Sequence, residues 1–309
     1  MKDKTFSSIL QLANRFKTDK DCRHYLAQKL WRGESPICPH CTNDAYSFSD
    51  GKRYKCKTCK KQFTITVGTI FEGSHIELQK WFIAIYILTA HKKGISSLQL
   101  GRDLDITQKS AWYMLHRIRY AIRSESFLAP LENVVELDET YVGGKEKNKH
   151  RSKRIGGTEG RSLDKKVPVF GMFERGGEVR TERVLNAKSQ TLLPIIAKNV
   201  SSEAIVMTDE ASSYRQLYRT HNHLKVNHKT GQYVNGTCHT NTIENYWSIF
   251  KRGIIGIYHQ ISPKHTDKYL DEFEFRFNSR KATEQNRFDS MLLKSEGYLS
   301  YKNLISKTK

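Results

Sequence analysis

No run of apolar residues in this 309-residue chain approaches the roughly 18 to 20 that a membrane-spanning helix needs. The best candidate, Trp81 to Ala90, is about half that length, and no membrane partner is expected. The opening Met-Lys-Asp-Lys-Thr-Phe lacks an apolar core followed by a small-residue cleavage site, so no secretory leader is read there and a cytoplasmic location is expected. Acids are scarce relative to bases: 32 Asp and Glu against 52 Lys and Arg leave a net charge of +20. Such an imbalance speaks about association rather than fold. Each phosphate neutralised by a basic chain releases a condensed counterion, which makes nucleic acid the leading partner. A merely basic soluble protein or a membrane-surface binder is the bland alternative. Cysteine is sparse as well, at six residues, and in a reducing compartment these serve as metal ligands or free thiols rather than disulfides.

Four of those cysteines are ordered in pairs. Cys38-Pro39-His40-Cys41 and Cys56-Lys57-Thr58-Cys59 are two Cys-x-x-Cys knuckles, the spacing of a four-cysteine zinc ribbon in which each knuckle gives two thiolates to one tetrahedral Zn²⁺. Four sulfurs leave no open coordination position, so the expected zinc is structural. Free thiols or two local redox pairs are the alternative.

The length suggests two or three domains. Apolar residues at near-helical spacing predict a helical arm over 1–35, followed by the ribbon over 36–70. A strongly apolar helix over 75–91, a short one starting after Ser96 and Ser97, and a third from Gln108 to Arg123 resemble a helix-turn-helix over 71–128. Lys109 and Arg117 on its third helix are candidate DNA contacts, alongside Gln108, Arg119 and Arg123. Three packed helices with no DNA role remain the alternative.

The chemistry is expected farther on. Val-Val-Glu-Leu at 134–137 reads as a strand delivering Asp138 at its end, and Ala-Ile-Val-Met-Thr at 204–208 repeats the pattern before Asp209. Between them lies a polar insertion, Lys145 to Lys166, carrying Lys147, Arg151, Lys153 and Arg154; it is either a solvated loop or a DNA-clasping one. A hairpin is read over 167–185, helices over 189–199 and near 213–221, and a strand over 224–227. The first and fourth strands of this mixed α/β domain can then lie parallel and adjacent, which sets Asp138 beside Asp209. Asn241 to Lys251 reads as a helix whose apolar stripe, Ile243, Tyr246, Trp247 and Phe250, leaves Glu244 at its edge. Lys251 and Arg252, about two turns on, are candidate phosphate contacts. Hard carboxylate oxygens suit divalent cations, and phosphodiester chemistry with two such ions needs carboxylates that converge. Asp138, Asp209 and Glu244 are therefore read as one divalent-metal site. Glu139 and Glu210 compete for the role, and merely solvated acids are the bland reading.

Leu-Asp-Glu-Thr-Tyr-Val-Gly-Gly at 137–144, Asp209 after its strand, His-Thr-Asn-Thr-Ile-Glu-Asn-Tyr-Trp-Ser-Ile-Phe-Lys-Arg at 239–252, and Lys-His-Thr-Asp-Lys-Tyr-Leu-Asp-Glu-Phe-Glu-Phe-Arg-Phe-Asn at 264–278 resemble prokaryotic insertion-sequence transposases with a zinc ribbon ahead of a DDE domain. The resemblance runs from about Trp31 to Arg280. It implies a ribonuclease H-like catalytic domain over 131–281 with a helical tail over 282–309, Asp138, Asp209 and Glu244 as the acids, and Mg²⁺ or Mn²⁺ as cofactor. It further implies double-stranded DNA as partner, at terminal inverted repeats and target, and a homodimer or higher synaptic oligomer. A DNA-binding regulator, or an inactive domesticated relative, is the competing reading.

Overall fold

The computed structural model describes residues 5–122, 129–143, 150, 166–227, 234, 236 and 238–306. The chain forms two compact units: Met1–Arg123 together with Ser279–Lys309, and Ser124–Asn278. No helix among the described residues is long and apolar enough to cross a membrane.

The first unit begins with helices α1 (Ile9–Arg15) and α2 (Asp19–Leu30). Each starts on a side-chain cap: Ser8 accepts from Gln11 N, and Thr18 exchanges hydrogen bonds with Asp21 in a capping box. Strands β1 (Ala45–Ser47), β2 (Arg53–Cys56) and β3 (Gln62–Thr64) form an antiparallel sheet between and beyond the cysteine knuckles. Then come α3 (Leu78–Ala90), α4 (Ser97–Leu104) and α5 (Gln108–Ile122). Asp105, with φ of 49°, makes the left-handed turn between the last two. The chain returns to this unit in α9 (Glu284–Leu293) and α10 (Tyr301–Ile305). Phe288 of α9 completes an aromatic core with Phe6, Phe16, Tyr25 and Phe82, so α9 contributes to the N-terminal unit's interior.

The second unit is a five-stranded sheet in the order β6-β5-β4-β7-β8, made of β4 (Val134–Val142), β5 (Val167–Glu174), β6 (Val179–Arg183), β7 (Ile205–Thr208) and β8 (Asn222–Lys225). The first three strands meander antiparallel, whereas β7 and β8 run parallel to β4. Helix α6 (Ser189–Asn199) packs on one face through Leu192 and Ile196, meeting Val135, Leu137, Phe170, Met172 and Val206. Helices α7 (Asn241–Gly253) and α8 (Thr266–Asn278) take the other, where Ile243, Trp247, Phe250 and Phe273 meet Val142, Val169 and Phe173. A mixed sheet of this order, clothed by helices on both faces, is the ribonuclease H-like arrangement.

Two expectations shift. The helix read near 213–221 is instead two single 3₁₀ turns, Ser212–Tyr214 and Leu217–Arg219. Tyr214 and Leu217, one from each turn, are both buried in the core on the α6 side, so the three-residue spacing that reads as helical comes from two separate turns. Strand β4 also continues well past Leu137, pairing with β5 as far as Val142, so Asp138 lies within a strand rather than at its end.

Candidate active site

What ends near Asp138 is its neighbour. β4 pairs with β7 at Val134–Ile205, Val135–Val206 and Glu136–Met207. Carried two residues further, the same offset sets Asp138 level with Asp209, one residue past the end of β7. Side chains alternate along a strand. Val135 and Leu137 belong to the α6 side, so Asp138 points to the α7 side and Glu139 to the opposite one. Glu139 lies among Tyr214 and Ser213, with burial pushing its carboxyl up to about 7. Alternation thus separates the two adjacent acids that local sequence could not rank.

Helix α7 delivers Glu244 to the Asp138 face. Its stripe of Ile243, Tyr246, Trp247 and Phe250 is buried, while Glu244 stays exposed. Gly171 on β5, the register partner of Asp138, lets the helix come close: a Cβ there would stand 2.4 Å from Trp247 Cζ2. Each acid accepts a local bond. Asp138 Oδ1 accepts from Glu139 N at 2.8 Å, Asp209 Oδ1 from Ala211 N at 2.9 Å, and Glu244 Oε1 from Thr240 Oγ1 at 2.7 Å.

Asp138 feels its surroundings. Burial, then the negative charge of Glu139, and then those of Asp209 and Glu244 push Asp138 up to about 7. Like charges gathered in a partly buried place disfavour ionisation, and a cation there would relieve them. Hard oxygens presented from two strands and a helix fit a divalent ion. The carboxylates stand farther apart than the ribbon's sulfurs, since among the described residues the four cysteines are the group whose ligand atoms all lie within 4.8 Å of one another.

A fourth acid on this face was missed by sequence reasoning. Glu136 is fully buried and reaches the start of α7, accepting from Thr242 N at 2.9 Å and Ile243 N at 3.1 Å. It lies in an otherwise apolar run, Val-Val-Glu-Leu, and that break in the pattern was the available signal.

In the first unit, Cys38 Sγ lies 3.7 Å from Cys59 Sγ, and Cys41 Sγ lies 3.4 Å from Cys56 Sγ. Thiolates about 2.3 Å from a tetrahedral zinc are about 3.8 Å apart, so the set fits that ion. The His40 N–H points at Cys38 Sγ, and those of Thr58 and Cys59 at Cys56 Sγ, which orients the sulfurs for a shared metal.

Residues 130–278 match the family model of the ISXO2-like transposase domain, and residues 17–62 match that of a transposase zinc-ribbon domain. A protein of the transposable element ISH50 from Halobacterium salinarum is 30% identical over 274 residues, covering 84% of this chain and 91% of that protein. The chain belongs to the ISXO2-like transposase family. A transposase-like protein of Haemophilus influenzae is 35% identical to this transposase over 118 residues, which are 38% of this chain and 94% of that protein. Two Mos1 transposase structures, a strand transfer complex and a paired-end complex with left transposon end, are each 13% identical with TM-scores of 0.28 and 0.30. They cover 71% of this chain and 79% and 80% of theirs, a likeness too faint to bear on this transposase.

The cations expected to meet DNA divide. Lys109 is exposed at the start of α5, its Nζ 5.1 Å from the Tyr301 ring centroid, and Lys251 and Arg252 are exposed on α7. Lys147, Arg151, Lys153 and Arg154 lie outside the described residues. Arg117 is a correction: it is buried, donates to Glu72 O at 2.5 Å, and stacks over Trp81, Tyr113 and Tyr298. Arg119 is buried too. The returning C-terminal segment covers the α5 face that a recognition helix would leave open, with Leu299 O accepting from Tyr113 Oη at 2.5 Å. The transposase's α5 is a core helix over most of its length.

Proposed function

We propose that this transposase cuts and joins DNA at the terminal inverted repeats of its own element. Asp138, Asp209 and Glu244 would hold Mg²⁺ or Mn²⁺, and Cys38, Cys41, Cys56 and Cys59 a structural Zn²⁺. The observation that supports this is geometric: the β4–β7 register sets Asp138 level with Asp209, and α7 packs on the face of β4 to which Asp138 points and carries Glu244 in its first turn. When bound, a pair of divalent ions supplies activation of the attacking oxygen and stabilisation of the leaving one. The protein's part is placement. The Thr240 hydroxyl orients Glu244, Ala211 N orients Asp209, and Lys251 and Arg252 offer positive charge to phosphate along the same helix.

Water attacks the phosphodiester at the element's end, releasing a 3′-hydroxyl; that hydroxyl then attacks target DNA by the same in-line route. Joining requires two ends held together, which supports a dimer or larger assembly on double-stranded DNA. The test incubates purified protein with Mg²⁺, supercoiled target and labelled DNA carrying the ends that flank its gene, beside the Asp209→Ala variant. Label joined to target with the unaltered protein alone supports the reading. Cleavage without joining would make it a nuclease, and binding with neither a regulator or an inactive relative.

A further inference from the structure

Glu136 and Asp138 stand two residues apart on the same face of β4, yet their surroundings give them different tasks. An ionised carboxylate has about four lone-pair sites. At Glu136 four donors take them. Oε1 accepts from Arg175 Nε at 2.7 Å and Thr242 Oγ1 at 3.1 Å, while Oε2 accepts from Thr242 N at 2.9 Å and Ile243 N at 3.1 Å. Nothing remains with which to hold a cation.

The donors mark what Glu136 fixes instead. Thr240, the residue preceding α7, makes no capping bond to the helix backbone, because its hydroxyl goes to Glu244 Oε1. The helix start is therefore capped from another strand, 106 residues away in sequence. Arg175, at the β5–β6 turn, ties the knot on its other side: its Nη2 donates to His239 O at 2.9 Å and its backbone N to Val134 O at 2.9 Å. His239 Nδ1 lies 3.4 Å from Glu136 Oε1. The chain entering α7 and the first N–H groups of the helix are thus both referred to β4, the strand that bears Asp138.

We infer that Glu136, together with Arg175, is a positioning residue that holds the start of α7 against β4 and so sets Glu244 at its distance from Asp138. This rests on the divalent-metal reading of Asp138, Asp209 and Glu244. A carboxamide cannot replace the carboxylate, because its NH₂ group would face either the two helix N–H donors or the Arg175 Nε–H, none of which can accept. The helix start would then shift or fray within its first turn, where Glu244 sits.

The test measures Mn²⁺ affinity of the full, zinc-loaded chain by electron paramagnetic resonance, with circular dichroism to verify folding. Asp209→Ala should lose Mn²⁺ binding; if it does not, the metal reading itself fails, and this inference falls with it. With that control in place, Glu136→Gln should weaken Mn²⁺ by about 10-fold to 100-fold, as loss of a partner behind a metal ligand does. Combined with Glu244→Ala it should cause no further loss, because both changes remove the same ligand. A general structural defect would give additive losses instead. Additivity, or unchanged affinity in Glu136→Gln, overturns the inference. Should Glu136→Gln not fold, Thr242→Val deletes one of the four donors at nearly constant volume and enters the same cycle. It should produce a smaller loss, likewise absent in the Glu244→Ala background, and unchanged affinity in Thr242→Val alone overturns the inference.

Discussion

Gly171→Ala adds one methyl group between β5 and α7, and the consequences can be worked out from its neighbours. The new Cβ would meet Trp247 Cζ2 at 2.4 Å and both Trp247 Cη2 and Ile243 Cδ1 at 3.0 Å. Carbons rest comfortably at about 3.5 to 4.0 Å, so something must move by about 1 Å. Trp247 is 3% exposed, with Tyr246 and Phe250 rings 5.1 and 6.1 Å away between centroids, and its ring has no room to swing aside. The helix must move. Two terms oppose each other in stability. Losing a glycine from an extended strand favours folding by about 0.4 to 1 kcal/mol, whereas forcing a methyl into a packed core costs about 1 to 3 kcal/mol. The net expectation is a destabilisation of about 1 to 2 kcal/mol.

Catalysis should suffer far more than stability. A displacement of about 1 Å at a reacting constellation can cost about 100-fold, and α7 carries Glu244. The assay is cleavage of end-bearing DNA, run beside thermal unfolding of the same samples. Trp247→Phe provides the control, since phenylalanine lacks both indole carbons that clash. Alone it leaves a cavity, but combined with Gly171→Ala the methyl partly fills that space and cleavage should recover relative to Gly171→Ala. Undiminished cleavage in Gly171→Ala would refute the close-approach argument. So would a double variant no more active than the product of the two single effects.

Three further outcomes follow from the same physical reasoning. Glu274 is buried on α8 and accepts from the backbone N–H and hydroxyl of Thr181, and burial pushes its carboxyl up from 4.5 to about 8. Its contribution to stability is therefore fully present below about 4.5 and is lost as pH rises to about 8, a swing of about 5 kcal/mol. Glu274→Gln should accordingly gain on the unaltered protein in melting temperature between pH 5 and pH 9, and a constant difference would contradict that. Released zinc, read with a chromogenic chelator, should equal one ion per chain, and Cys41→Ser should abolish it together with the ribbon's fold; retention of zinc would rule out the four-thiolate site. Arg117→Met should lower stability without changing how DNA affinity varies with salt, whereas Lys109→Ala should reduce that salt slope by about one unit. The reverse pattern would return Arg117 to the DNA surface.

What could be read in advance was local. The ribbon is encoded in two cysteine spacings, and the buried stripe of α7 in residues three and four apart, because each depends on short-range geometry. The parallel pairing of β4 with β7 followed from chain order and connection rules. What escaped depends on segments that meet from far apart. Arg117 reads as a surface cation on an amphipathic helix until Tyr298 and Leu299 come back across it, more than 180 residues later. Glu136 reads as an interruption in a strand until the first turn of α7 arrives on it.

Two residues not singled out from the sequence, Gly171 and Glu136, together account for the position of Glu244. Gly171 sets how deeply α7 lies against the sheet, because any side chain there would lift Trp247 and Ile243. Glu136 sets where the helix begins along β4, because its carboxylate takes the first N–H groups of α7. Depth and start leave rotation about the helix axis, and the buried stripe of Ile243, Tyr246, Trp247 and Phe250 fixes that. Asp138 needs no such apparatus, since it stands on the central strand itself, at the point where β7 stops pairing and leaves room beside it. An acid on a strand inherits its place from the sheet, whereas an acid on a helix must be held there by contacts. Mutational sensitivity around Glu244 should therefore extend well beyond Glu244, to residues that never touch DNA or a cation.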